Sequence, residues 1–195
     1  MKIGNHDYPV KQAVIIGMGT FLLAIAAALG SQVLLANLGP IVLKFVILLI
    51  IIFTGIVFDI IGVAAAVASE STFHAKSARR MFGAEQAVRM ARKADQVASF
   101  SNDVVGDISG TLSGAMGTAI IFEIVTGPLD SHILIAGTVM TAFIAGLTVG
   151  GKAIGKNIAI QHADEIIFRV GKILAVVENT LGIRIVGDSV KKGRK

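Results

Sequence analysis

The sequence predicts an all-α membrane protein, and two features of its composition carry that prediction. Of its 195 residues, 54% are hydrophobic and 16% are charged, and the mean hydropathy is +0.77. A soluble domain carries about 25% charged residues. The charges are also unevenly placed, because long stretches hold none or one: 12–43, 131–151, 45–69 with Asp59 alone, and 108–129 with Glu123 alone. A membrane-spanning helix needs about 20 apolar residues.

We therefore predict four membrane helices within a single membrane domain, 1–195. They lie near residues 13–36, 41–68, 98–126 and 131–150. The first apolar stretch is longer than that of a signal peptide. Leu38-Gly39-Pro40 predicts a short turn before the second span, and Gly127-Pro128-Leu129-Asp130 predicts another before the fourth. The second and third spans exceed the ~30 Å apolar core, so we expect them to tilt, kink or break.

Two amphipathic segments lie outside the spans. Residues 72–95 predict a pair of short basic helices separated by Gly83, and residues 158–182 predict a C-terminal helix of mixed charge. On the second helix of the pair, small and apolar residues share one face, and Arg89, Arg92 and Lys93 fall largely off it. We expect the pair to lie on anionic headgroups of the lipid bilayer. Nucleic-acid binding is not expected, because no aromatic platform accompanies the charge.

The basic residues predict the orientation in the membrane. Seventeen of the 18 Lys and Arg residues fall on one side of the four predicted spans, and Lys44 is the exception. Because short cytoplasmic loops are rich in Lys and Arg, we expect both termini to be cytoplasmic in a multi-pass protein of the plasma membrane. Lys44 lies near a helix end, from which its ammonium group can reach the interface.

Catalytic motifs are not recognisable, so the chain is not expected to be an enzyme. It has no Cys, and its four His residues lack the spacing of a metal site or a Ser-His-Asp arrangement. The stretch from Gly150 to Asn157 nearly matches a phosphate-binding loop. It ends in Asn instead of Ser or Thr, and it follows a membrane helix instead of a strand.

The candidate site consists of polar residues in the second and third spans. Asp103 and Asp107 are four residues apart on one face of the third span, with Asn102 beside them, and Asp59 lies in the second. A carboxylate at membrane depth costs about 2.5–3.5 kcal/mol on insertion scales and needs a compensating charge. Oxygen ligands with water suit Mg²⁺. The alternatives are pairing of Asp59 or Asp107 with Lys152 or Lys156, and a proton relay.

Small residues repeat every four positions along the third and fourth spans. The repeats are Gly106, Gly110, Gly114 and Thr118, and in the fourth span Thr141 with Ala145 and Ala142 with Gly146 and Gly150. Such repeats let helix backbones approach closely. We expect them to pack either within the chain or across a dimer.

Three stretches resemble the transmembrane domain of the CorB/CorC/cyclin-M (CNNM) family, which is implicated in Mg²⁺ transport. They are Ala78-Arg79-Arg80-Met81-Phe82-Gly83, Asp95 through Asp107, and Gly151-Lys152-Ala153-Ile154-Gly155-Lys156. The resemblance covers about residues 45–180, without the family's CBS domains. It implies a homodimer and a cation site to which Asn102 belongs.

The chain departs from the family pattern at the site itself. A cation-site Glu of the family aligns with Lys152, and Asp59 and Gly62 stand where a Ser-Gly-x-Glu-Thr signature is expected. One hypothesis is a divalent-cation transporter-like module that holds Mg²⁺, as transported ion, with Asp59, Asn102, Asp103 and Asp107. The other is a non-transporting membrane scaffold that retains the fold but has lost the site. In a structure with Mg²⁺ present, an oxygen cage at about 2.0–2.1 Å favours the first hypothesis, and a direct contact between Lys152 and an Asp favours the second.

Overall fold

The computed structural model describes residues 7–37, 39–125 and 131–182, and all regular structure in these ranges is helical. Seven helices follow one another along the described chain. They are α1 (Asp7–Asn37), α2 (Ile41–Val67), α3 (Glu70–Ala78), α4 (Ala84–Arg92), α5 (Ala94–Ile124), α6 (Ser131–Gln161) and α7 (Ala163–Leu181). The predicted all-α class is confirmed.

Three of these helices are long and apolar enough to cross a membrane within the described residues: α2, α5 and α6. Their large apolar side chains lie on the outside, as Val42 at 72% and Leu134 at 70% exposed illustrate. Such exposed apolar surface is typical of a protein that faces lipid. Three of the four predicted spans are thus confirmed as candidate membrane helices, and they make a multi-pass membrane protein plausible.

The first predicted span is helical throughout residues 13–36, within α1. Its described apolar part, Gly17–Gly30, is shorter than a membrane crossing. The fourth crossing therefore stays a prediction. Gly39 and Pro40 separate α1 from α2 as predicted, and the carbonyl of Pro40 accepts a hydrogen bond from Leu43 N–H. Leu38, the turn at 127–130 and the basic tail at 191–195 lie outside the described residues.

The chain divides into two compact units, and the first comprises Met1–Gly55 and Gly106–Val149. In this unit α1 packs along α5. A Cβ placed on Gly55 would lie 2.8 Å from the Cβ of Ser109, so α2 and α5 touch at that point. Gly117 of α5 faces Ile144 of α6 with no room for a side chain. These close approaches are as expected of helices packed in a membrane.

The glycine repeats behave differently from those contact glycines. Cβ atoms placed on Gly110, Gly114 and Gly146 would meet no atom within 4 Å in the part of the chain that the structure describes. Among the described residues, these three glycines therefore do not make the close contacts of the first unit, which fall at Gly55 and Gly117. Gly106, at the start of the same repeat, is buried.

The second unit comprises Ile56–Val105 and Gly150–Lys195, and its core joins the short helices to α7. Phe73, Ala87 and Ile167 are fully buried there. Gly83 adopts a positive φ of 82° and ends the connection between α3 and α4, which confirms the predicted break. A Cβ on Gly171 would lie 2.6 Å from the carbonyl oxygen of Gly83, so α4 and α7 cross with their backbones in contact.

Two predictions about this unit need correction. Arg89, placed on the polar face of α4, is buried, because Glu178 of α7 accepts a hydrogen bond from it at 2.5 Å and one from Gln86. The C-terminal helix begins at Ala163 instead of residue 158, because α6 continues to Gln161. The stretch resembling a phosphate-binding loop is part of α6 and forms no loop.

Candidate functional site

An ion pair between α2 and α6 lies at the centre of the candidate site. Lys152 Nζ stands 3.3 Å from Asp59 Oδ1, and the side chains are 29% and 15% exposed. Two glycines of α6 bring the helices together. Gly151 packs on Ile56, and a Cβ on Gly155 would lie 2.6 Å from Cγ1 of Ile60. The sequence thus sets Lys152 beside Asp59 by leaving the neighbouring α6 positions without side chains.

The ion pair supplies the positive charge that the Asp59 carboxylate requires in an apolar helix. An isolated carboxylate at membrane depth is costly, and an ammonium group at this distance supplies the compensating charge. One of the predicted alternatives, pairing of Asp59 with Lys152, is confirmed. The N–O separation is longer than the 2.7–2.9 Å of a close charge-assisted hydrogen bond. The contact is therefore electrostatic, and its geometry is loose.

Asn102 lies in the same unit, on α5, and its amide packs against α2. A Cβ on Gly62 would collide with the Asn102 amide. The Oδ1 atom is buried and accepts no hydrogen bond from any residue that the structure describes. Gly62 follows Asp59 by three residues, so both lie on one face of α2. The Asn102 amide therefore packs on the face of α2 that also carries Asp59.

The backbone around Asn102 departs from α-helical geometry. Residues Phe100–Gly106 form a π-helical segment inside the otherwise continuous α5. Such segments hydrogen-bond from i to i+5, are rare, and occur frequently at functional sites. The polar sequence here predicted a kinked or broken span, and the structure replaces the break by this change of hydrogen-bonding register.

The other two predicted ligands lie elsewhere on the surface of α5. Asp103, within the π-helical segment, is exposed, and Asp107, in the first unit, is exposed as well. Over residues 7–37, 39–125 and 131–182, no three His, Asp or Glu side chains form a group that could hold a metal ion. The structure thus places the Asn102 amide against Gly62, three residues after Asp59 on α2, and metal binding by any of the four predicted residues stays a prediction.

Sequence reasoning missed a second ion pair between candidate membrane helices, which lies in the first unit. Lys44 Nζ lies 2.5 Å from Glu123 Oε2, and the Lys44 side chain is 8% exposed. Lys44 was expected to extend to the interface, and instead its ammonium group is buried against α5. A signal was present, since Lys44 and Glu123 are isolated opposite charges in two long apolar stretches.

A polar cluster joins α3 and α4 in the second unit, outside the membrane candidates. Glu70 Oε1 accepts hydrogen bonds from Arg92 Nε at 2.8 Å and is 2.9 Å from His74 Nε2. The hydrogen bond from Arg92, followed by that from His74, holds the pKa of Glu70 below its usual value. On α7, Arg169 lowers the pKa of Glu165 in the same way. These exposed groups are ordinary surface ion pairs.

Comparison with known proteins gives no match: no family model, no curated protein and no solved structure is similar to this chain.

Proposed function

We propose that the chain is a divalent-cation transporter-like membrane module of the Mg²⁺ type. In this proposal the Lys152 ammonium group pairs with the Asp59 carboxylate when the ion is absent. One observation carries the proposal. The Oδ1 atom of Asn102 is buried against Gly62 on α2, and it accepts no hydrogen bond from any residue that the structure describes. Leaving a buried polar atom without a partner costs about 1–3 kcal/mol. In a cation site the cost is offset, because the amide oxygen binds the ion or one of its waters.

The chemistry of the two groups supports a hydrated hard cation. A carboxylate and an amide oxygen are ligands of Mg²⁺, which usually keeps several waters and needs only one or two carboxylates. Lys152 then competes with the ion for Asp59. Its 3.3 Å contact with Asp59 Oδ1 is longer than a close charge-assisted hydrogen bond, as the proposed exchange requires. In this proposal Asp103 and Asp107, both exposed on α5, attract the ion without belonging to the final site.

The membrane arrangement of the proposal follows the basic residues. Four crossings would place both termini in the cytoplasm of a plasma-membrane protein, with α3, α4 and α7 on that side. The homodimer that the CNNM resemblance implies is supported by Gly110, Gly114 and Gly146, where an added Cβ would meet no described residue within 4 Å. Open small-residue faces in membrane helices suit a second helix.

A second function is favoured by one observation. Asp59 and Lys152 are in direct contact, so the pair is already neutral without an ion. A non-transporting scaffold that retains the fold would have this arrangement. The two functions differ in one respect, which is whether a cation can displace Lys152.

Uptake of Mg²⁺ into proteoliposomes tests the proposal. We expect uptake by the unaltered chain, loss of uptake in Asp59→Asn, and a marked loss in Asn102→Ala. Asp107→Asn should reduce uptake only modestly, because its carboxylate is exposed. Lys156→Gln, an exposed lysine on the same helix as Lys152, is the matched control and should behave as the unaltered chain. Absence of uptake by the unaltered chain would favour the scaffold, and equal uptake by the unaltered chain and Asp59→Asn would contradict a role for Asp59 in transport.

A further inference from the structure

A cavity of 530 Å³ lies in the second unit, between α2, α4, the start of α5 and α7. We call it the Lys93 pocket. Its walls are largely apolar, with Phe58 and Ile61 on one side and Leu174 on the other, and its polar lining residues are Lys93, Gln96 and Ser101. The volume falls within the range of about 300–1,000 Å³ that is typical of small-molecule sites. The pocket therefore suits an elongated apolar group with a polar end.

The charge in the lining selects the sign of that polar end. Lys93 is half-buried, and it forms no ion pair with any residue in the described part of the chain. An ammonium group beside apolar walls is stabilised by an anion, because few other groups compensate its lost hydration. The occupant that complements this lining has a single negative group next to Lys93 and an apolar part beyond it.

The position of Lys93 along the chain indicates what that occupant is. Lys93 immediately precedes α5, one of the helices long enough to cross a membrane. The end of a spanning helix lies at the depth of lipid headgroups. The lining then follows α5 to Ser101, about 12 Å further along a helix at 1.5 Å per residue. Lys93 thus stands at headgroup depth, and the walls that α2 and α5 contribute extend from it toward the acyl chains, with α7 covering the headgroup side.

We propose that the Lys93 pocket binds one acyl chain of an anionic membrane phospholipid, whose phosphate is held by the Lys93 ammonium group. The mouth of the pocket is open to lipid, since Ile173 is 63% and Phe100 is 55% exposed. A zwitterionic lipid fits the walls equally well but gains less from Lys93. The proposal goes beyond cation transport and does not depend on it, because none of its residues is a predicted cation ligand.

Native mass spectrometry of the full-length chain, released from nanodiscs, measures bound lipid directly. The probes are phosphatidylglycerol and phosphatidylcholine with identical acyl chains. We expect the unaltered chain to retain phosphatidylglycerol preferentially, and Lys93→Gln to lower that preference about fivefold, the effect of one basic residue near a membrane surface. Lys93→Arg should retain the preference. Lys156→Gln, which removes an exposed charge outside the pocket, should leave it unchanged.

A second variant tests the pocket walls. Ile173→Trp places an indole at the mouth of the pocket and should reduce retention of both lipids, while thermal unfolding checks that the fold is kept. Equal retention of the two lipids by the unaltered chain, or an unchanged preference in Lys93→Gln, would overturn the proposal. So would a change of oligomeric state in Ile173→Trp without loss of lipid, because the pocket would then receive a second copy of the chain.

Discussion

An acid–lysine pair joins two long helices in each compact unit, and the two pairs differ in tightness. In the first unit Lys44 and Glu123 are 2.5 Å apart, with the Lys44 side chain buried. In the second, Lys152 and Asp59 are 3.3 Å apart, both are partly exposed, and the Asn102 amide packs on the same face of α2 as Asp59. A charge within a candidate membrane helix is therefore held in two different ways. In the first pair the Lys44 ammonium group is buried against its partner, and in the second the ammonium group of Lys152 is partly exposed. In our proposal only the second pair exchanges partners with an ion.

Breaking the tight pair should have the largest effect on stability. Removing one partner of a buried pair leaves an uncompensated charge. For Lys44→Met we expect a loss of about 2 kcal/mol, below the roughly 3–5 kcal/mol of fully buried pairs because the Glu123 side chain is 41% exposed. Unfolding of the detergent-solubilised chain measures it. The double variant Lys44→Met with Glu123→Gln should recover much of the loss, and no recovery would show that the pair itself is not responsible.

The loose pair should respond less to the same change. Lys152→Met is expected to lower the free energy of unfolding by about 1 kcal/mol or less, in line with polar contacts within membranes. The measurement is the one used for Lys44→Met, so the two losses are directly comparable. A loss as large as that of Lys44→Met would remove the distinction between the pairs.

The sequence predicted the parts of this arrangement that depend on local pattern. Charge-free stretches located α2, α5 and α6, and Gly83 located the break between α3 and α4. Asp59 and Lys152 were recognised as candidate partners because few charges occupy the spans. These predictions succeed because apolar length and positive-φ positions are properties of a chain segment.

Contacts between helices were the part that sequence could not supply. The burial of Arg89 depends on Glu178, which is 89 residues away, and the Lys44–Glu123 pair spans 79 residues. The π-helical segment at Phe100–Gly106 depends on how α5 packs, since its sequence also suits an ordinary α-helix. Contacts between residues so far apart in the chain leave no pattern in the local sequence, so they cannot be predicted until the packing of the helices is known.

The contact of Asn102 with Gly62 allows a test of whether the Asn102 amide distinguishes the second pair from the first. Gly62→Ala should push the Asn102 amide away, because its Cβ would collide with that side chain. We expect about 1 kcal/mol of destabilisation, with loss of any Mg²⁺ response. The matched control is Gly110→Ala, whose Cβ would meet no described residue within 4 Å and which should be neutral or stabilising by about 0.5–1 kcal/mol. Equal behaviour of the two variants would contradict a role for the amide.

The smallest effect is expected from the exposed cluster on α3 and α4. Because the folded-state pKa of Glu70 is lowered, its ionised form favours the folded state. This contribution is full above the ordinary value of 4.5 and is lost as the pH falls through the folded pKa. The free energies of unfolding of the unaltered chain and of Glu70→Gln should therefore differ slightly at pH 7 and converge as the pH falls well below 4.5. A difference that grows on acidification would contradict this sign.

Calorimetric titration of Mg²⁺ into the unaltered chain and into Lys152→Gln tests the central claim most directly. If Lys152 pairs with Asp59 until an ion displaces it, removing its ammonium group should tighten Mg²⁺ binding about tenfold or more. The reason is that the ammonium group both repels the cation and competes with it for the Asp59 carboxylate. Asp59→Asn should bind no Mg²⁺ in the same titration. Unchanged or weaker binding by Lys152→Gln would contradict the account and leave the Asp59–Lys152 pair as a structural contact, like that of Lys44 with Glu123.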